Sequence, residues 1–125
     1  MSGTTIRSVT VEPLNIPLLE PFTIATGSVS EARNVLITIT LDDGSIGYGE
    51  SAPFSPSTGE TQETALAAAR GCAALIEGKD AAHWRTLSRL MRSVYFSQAT
   101  ALAGIEMALL DALTRSYGIP LYVFF

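Results

Sequence analysis

Residues 33–60 read RNVLITITLDDGSIGYGESAPFSPSTGE. Val35, Ile37, Ile39 and Leu41 recur at every second position, with Thr38 and Thr40 between them. Alternation with period two marks a strand with one buried face. Asp42-Asp43-Gly44 follows, a tight-turn signal between two β-rich runs. The return strand, Ser45 to Glu50, places Ile46 and Tyr48 on one side and Gly47 and Gly49 on the other. A side made only of glycine suits close approach by another backbone. A Pro/Ser/Gly loop, Ser51 to Gly59, leads away from it.

Upstream, Ile6 to Ile16 reads as a first strand that pairs with this hairpin. Val9 and Val11 share one parity, while Leu14 and Ile16 share the other, with Pro13 at the break. Proline cannot donate to a central ladder, so a β-bulge or an edge position is predicted there. Pro17 and Pro21 bracket the end of the strand. Leu18 to Ser30 has no clean period and reads as a long loop or loose hairpin, a kind of segment that is often functional.

Downstream the period changes to that of helices. Ser57-Thr58-Gly59-Glu60 has capping-box spacing, and Leu66, Ala69, Ala73 and Ile76 form a stripe up to a C′ glycine, Gly78. Asp80 is placed to cap a second helix with Trp84, Leu87, Met91 and Val94 on its apolar face and Arg85, Arg89 and Arg92 toward the other. A third helix is predicted from Gln98 to Tyr117, its stripe being Leu102, Ile105, Leu109 and Leu113. Its many small residues, among them Gly104, Ala108 and Ala112, permit close packing, and Gly118 and Pro120 stop it. Strands segregated before helices mean an α+β domain: a three-stranded antiparallel β-meander followed by a three-helix bundle.

At 125 residues the chain reads as one domain. A net charge of −4 gives no electrostatic footprint for nucleic acid, and no basic run suits an anionic membrane. The single cysteine, Cys72, excludes an intramolecular disulfide. The N-terminus lacks an apolar signal region and no apolar run is long enough to span a bilayer, so a cytoplasmic protein is expected. Only 16% of residues are charged, against about 25% in typical domains, and mean hydropathy is +0.30. Such a composition points to an apolar face that another body covers.

The search for chemistry is mostly negative. His83 is the only histidine and has no companion at ligand spacing, so it reads as a surface or interface residue. Cys72, in an alanine-rich helix, reads as a buried structural thiol. Turn chemistry accounts for Asp42 and Asp43, and Glu50 reads as structural. The glycine run 47–49 lacks GxGxxG and is not a phosphate loop.

Two stretches carry a resemblance: PFTIATGSVSEARNV with DDGSIGYGESAPFSPSTGE, and AGIEMALLDALTRSYGIPLY. Together they resemble the N-terminal capping domain of the enolase superfamily, in its mandelate racemase/muconate lactonizing branch, and within it the dipeptide epimerases of the L-Ala-D/L-Glu kind. The resemblance implies an enolase N-terminal domain-like fold set over the mouth of a (β/α)-barrel, with residues 19–29 and 51–59 closing over the substrate. It implies lid residues at Phe22, Ile24, Thr26 and Phe54. It also implies an isomerase whose acid/base lysines and Mg²⁺ ligands lie in the barrel, so no catalytic and no metal-binding residue is expected in residues 1–125. Expected partners are that barrel, a dipeptide or carboxylate substrate, and further copies of the chain.

The sequence departs from the pattern twice. Thr26 stands where several such epimerases carry an arginine, which puts an acidic substrate in doubt. Tyr122 is followed by Val123-Phe124-Phe125 where an L-L-G-G-like segment leads into the barrel, so a truncated protein is expected. The capping domain of a muconate cycloisomerase or an o-succinylbenzoate synthase, and a stand-alone oligomerising or binding module, are the alternatives.

Overall fold

The computed structural model describes residues 3–25 and 27–125. Among them the chain forms a sheet of order β1-β2-β3, antiparallel throughout. The strands are β1 (Ile6–Ile24), β2 (Gly27–Leu41) and β3 (Ile46–Ser51). A short α1 (Ser55–Thr58), α2 (Gln62–Ile76), a 3-10 turn (Ala81–His83), α3 (Trp84–Val94), α4 (Ala99–Ser116) and a terminal α5 (Leu121–Phe124) follow. The α+β meander-then-helices arrangement is as predicted.

The alternation in β2 does what its period requires. Val35, Ile37, Ile39 and Leu41 are completely buried, facing Ala69, Ile76, Ile105 and Leu109 within one core. Leu41 and Ser45 close the β2–β3 turn, Ser45 N–H donating to the Asp43 carboxylate, with Gly44 at φ 90°. That φ lies in the left-handed region where glycine costs least.

β3 and α4 meet backbone to backbone. A Cβ built on Gly47 would collide with Ala108 and Ala112, and one on Gly49 with Gly104 and Ala108, in each case with main-chain atoms. The bare glycine side of the return strand and the small-residue face of the third helix are two halves of one seam. On the outer edge of β3, Asp111 accepts the Tyr48 N–H at 3.0 Å. This occupies a donor that an edge strand otherwise offers to other chains.

Two expectations are narrowed and one is corrected. First, of the two options at Pro13 the edge position holds and the bulge does not: the register runs without interruption from Ser8↔Thr40 to Pro17↔Glu31. β1 is an edge strand, and Val9 N–H points away from β2 to Glu77 Oε1. Pro13 and Pro17 share that parity, so their missing donors fall on the outer edge, while Leu14 and Ile16 face the sheet's uncovered side. Second, of the long loop and the loose hairpin expected over residues 18–30, the described residues form the hairpin. The ladder breaks between Pro17 and Phe22, then resumes as Phe22↔Val29, Thr23↔Ser28 and Ile24↔Gly27. The interruption shifts the phase of the alternation, which hid the strand from a periodicity reading.

Third, the capping box is not Ser57–Glu60. Residues 55–58 make a separate turn ended by Gly59 at φ 78°. α2 starts instead at Thr61, whose hydroxyl accepts from Thr64 N–H while the Thr64 hydroxyl accepts from Thr61 N–H. Asp80 accepts from Ala82 N–H at 2.9 Å and so caps the 3-10 turn that leads into α3, while His83, the N-cap of α3 itself, makes no side-chain capping bond; Gly78 and Gly118 adopt positive φ, as expected of helix stops. Leu87 and Met91 are buried, but Val94, the last residue of α3, is half exposed.

Candidate functional site

The distal half of the β1–β2 hairpin, the loop at residues 52–59 and the start of α2 enclose a cavity of about 460 Å³. Leu18, Phe22 and Val29 line it from the hairpin, and Pro53, Phe54 and Pro56 from the loop. Phe22 and Phe54 meet edge to face with centroids 5.7 Å apart, a favoured aromatic geometry. A Cβ on Gly27 would lie 2.7 Å from Pro56 Cγ, so the hairpin tip and the loop also touch there. Phe22 is nevertheless 53% exposed, and a half-open aromatic wall in a cavity of this size is the usual form of a small-molecule subsite.

The opposite wall is polar and internally paired. Gln62, almost fully buried, donates to Asn15 Oδ1 at 2.6 Å and to the Asn34 carbonyl at 2.9 Å. Arg33 donates to Gln62 Oε1 at 3.0 Å and to Glu63 at 3.1 Å. The Glu63 carboxyl is held below the usual carboxylate range by its own backbone N–H, then by the Thr61 hydroxyl and Arg33. Asn34 reaches across the strand to Glu50 at 2.6 Å, which gives Glu50 its structural partner.

Of the four residues singled out in the sequence, the structure brings Phe22 and Phe54 together. Ile24 ends β1 opposite Gly27, half-buried, and does not line the cavity. Thr26 lies outside the described residues. Sequence reading missed Arg33, Gln62 and Glu60. Glu60, 7% exposed, accepts from Thr100 N–H at 3.0 Å and from its hydroxyl at 2.6 Å. No local signal reports a bond across 40 residues.

Cys72 is completely buried, and burial pushes its thiol up to about 11, which keeps it protonated and inert. Among the described residues, no group of three His, Cys, Asp or Glu side chains is placed to hold a metal ion. No helix of the structure is long and apolar enough to cross a membrane.

Over residues 6–124 the chain matches the family described as mandelate racemase/muconate lactonizing enzyme, N-terminal domain. The chain belongs to this family. An aromatic dipeptide epimerase of Herpetosiphon aurantiacus is 45% identical over 122 residues, which are 98% of this chain and 34% of that protein. A crystal structure of a mandelate racemase/muconate lactonizing protein from the same organism superposes with a TM-score of 0.95 at 44% identity, covering all of this chain and 35% of the other. A dipeptide epimerase of Cytophaga hutchinsonii, solved with Mg and the dipeptide D-Ala-L-Val, superposes with a TM-score of 0.92 at 31% identity, covering 96% of this chain and 33% of the other. The chain thus spans about a third of the length of these relatives and corresponds to the N-terminal domain of dipeptide epimerases of this superfamily.

Proposed function

We propose that this domain is the substrate lid of a Mg²⁺-dependent dipeptide epimerase and that its cavity receives an uncharged, apolar side chain of the dipeptide. The observation that carries the reading is the Phe22–Phe54 pair, which joins the hairpin and the loop in a half-open apolar wall. The name of the 45% identical relative, an aromatic dipeptide epimerase, supports the same choice of substrate.

Epimerisation removes an α-proton, which requires a positioned base and a cation at the developing oxyanion. The only lysine here, Lys79, sits in the exposed turn after α2. In this reading the acid/base pair and the metal belong to a (β/α)-barrel domain, and this single capping domain is not catalytic alone. Its own work is to shape the pocket and keep water from it, where exclusion of water strengthens the electrostatics of the reaction.

The protein acts in the cytoplasm, and copies of the chain associate through α4 and the apolar tail. There Met107 and Phe125 are exposed beside Trp84, and Tyr122 is exposed in the tail. Light scattering that shows a strict monomer at high concentration counts against that association.

The test of the lid is a fusion of this chain to the C-terminal two thirds of the Herpetosiphon epimerase, assayed for α-hydrogen exchange in D₂O. Exchange on hydrophobic dipeptides is expected with Mg²⁺ and the fusion, and none with residues 1–125 alone. A folded fusion inactive on every dipeptide, or exchange by the isolated chain, overturns the reading.

A further inference from the structure

The loop that carries Phe54 is held at two points. It leaves the sheet at Ser51, 1% exposed, and re-enters the core at Glu60, 7% exposed. No side chain between them is buried. The hydrogen bonds within the loop are local: Ser57 and Thr58 N–H donate to the Phe54 carbonyl, Gly59 N–H to Ser55, and Glu60 N–H to the Thr58 hydroxyl. They give the loop a shape without fixing it to the body of the domain.

Glu60 makes that attachment, through both Thr100 donors. Thr100 stands in the first turn of α4, where N–H groups lack intrahelical partners and favour negative charge. α4 has no cap of its own, since the Gln98 side chain makes no capping bond. A single buried carboxylate therefore closes the long helix and stakes down the loop. It also lies on the wall of the cavity.

We infer that Glu60 is a positioning residue: by borrowing its place on α4, the loop holds Phe54 against Phe22 and so sets the width of the pocket. The consequence for catalysis rests on the lid reading. The ring contact does not, so failure of one is told apart from failure of the other.

The experiment uses the 125-residue chain and NMR, reading cross-relaxation between the Phe22 and Phe54 rings and hydrogen exchange at the Thr100 amide. In Glu60→Ala the ring contact is expected to vanish and Thr100 to exchange about tenfold faster, the size of a lost N-cap. Glu60→Gln, which keeps a carbonyl oxygen acceptor, retains the ring contact. The deciding variant is Glu60→Ala with Gln98→Ser, which gives α4 a local cap and also guards against an unfolded single variant. Protection at Thr100 returns in it, but the rings stay apart. Ring contacts that persist in Glu60→Ala, or that return with Gln98→Ser, overturn the proposal and leave Glu60 a helix cap alone.

Discussion

Where β3 meets α4, nothing is left over. Gly47 and Gly49 lie flush on Gly104, Ala108 and Ala112, and main-chain atoms fill the space that side chains would take. Where the hairpin tip meets loop 52–59, a cavity of about 460 Å³ remains, walled by aromatic rings that stay partly in water. The two regions share one sheet, for β2 runs from the cavity to the seam. The difference lies in what fixes each. The seam is determined by backbone contact and cannot relax, while the cavity is determined by side chains that touch across two otherwise exposed segments. Stability is concentrated in the first, and the second adds little to it.

The largest effect should come from the seam. Gly49→Val drives a branched side chain into the Gly104 carbonyl and is expected to cost more than about 4 kcal/mol, read as a collapse of the urea midpoint. Ile105→Ala, at a completely buried site, should cost about 3 kcal/mol as a cavity. If Gly49→Val were tolerated within 1 kcal/mol or so, the seam would not be the rigid half. Asp111→Ala, which frees the Tyr48 N–H on the outer edge of β3, should cost about 1 kcal/mol, measured by thermal unfolding.

Phe54→Ala should cost less than about 1 kcal/mol in stability, yet in the fused enzyme raise KM for a hydrophobic dipeptide. A loss as large as that of Ile105→Ala would make the cavity wall part of the core and end the contrast.

The smallest effect is a pH dependence. The Thr4 hydroxyl, then Ala82 N–H, hold the Asp80 carboxyl below its ordinary value of 3.8. The Ser116 hydroxyl, then Ser45 N–H, do the same for Asp43. A folded-state value below the unfolded one means a stabilisation that is complete above 3.8 and is lost as pH falls through the folded-state value. Asp80→Asn should flatten that acid limb of a stability-against-pH curve without changing its plateau shape near neutrality.

Much of the fold was legible because its rules are local. The period of Val35 to Leu41, the bare side of Gly47 and Gly49, and the stop at Gly118 each follow from a few adjacent residues. Of the candidate site, Phe22 and Phe54 were reached through the resemblance to the capping domain, not through any local period. The pairing of the hairpin tip was not legible, because the ladder breaks between Pro17 and Phe22 and the alternation resumes out of phase. The spacing of Ser57 and Glu60 suggested a capping box, whereas the partner of Glu60 lies in a helix 40 residues away.

The sequence by itself determined the class of the fold and the face of each strand, because side-chain periodicity is written along the chain. The resemblance to the capping domain added Phe22 and Phe54, in the two segments that flank the central hairpin. Only the tertiary structure decided that these rings touch, that Arg33 is committed to Gln62 and Glu63, and that Glu60 serves α4 rather than its own turn. Those outcomes depend on which distant groups folding brings within hydrogen-bond reach, and no local pattern encodes a distance between segments that meet only after the core has closed.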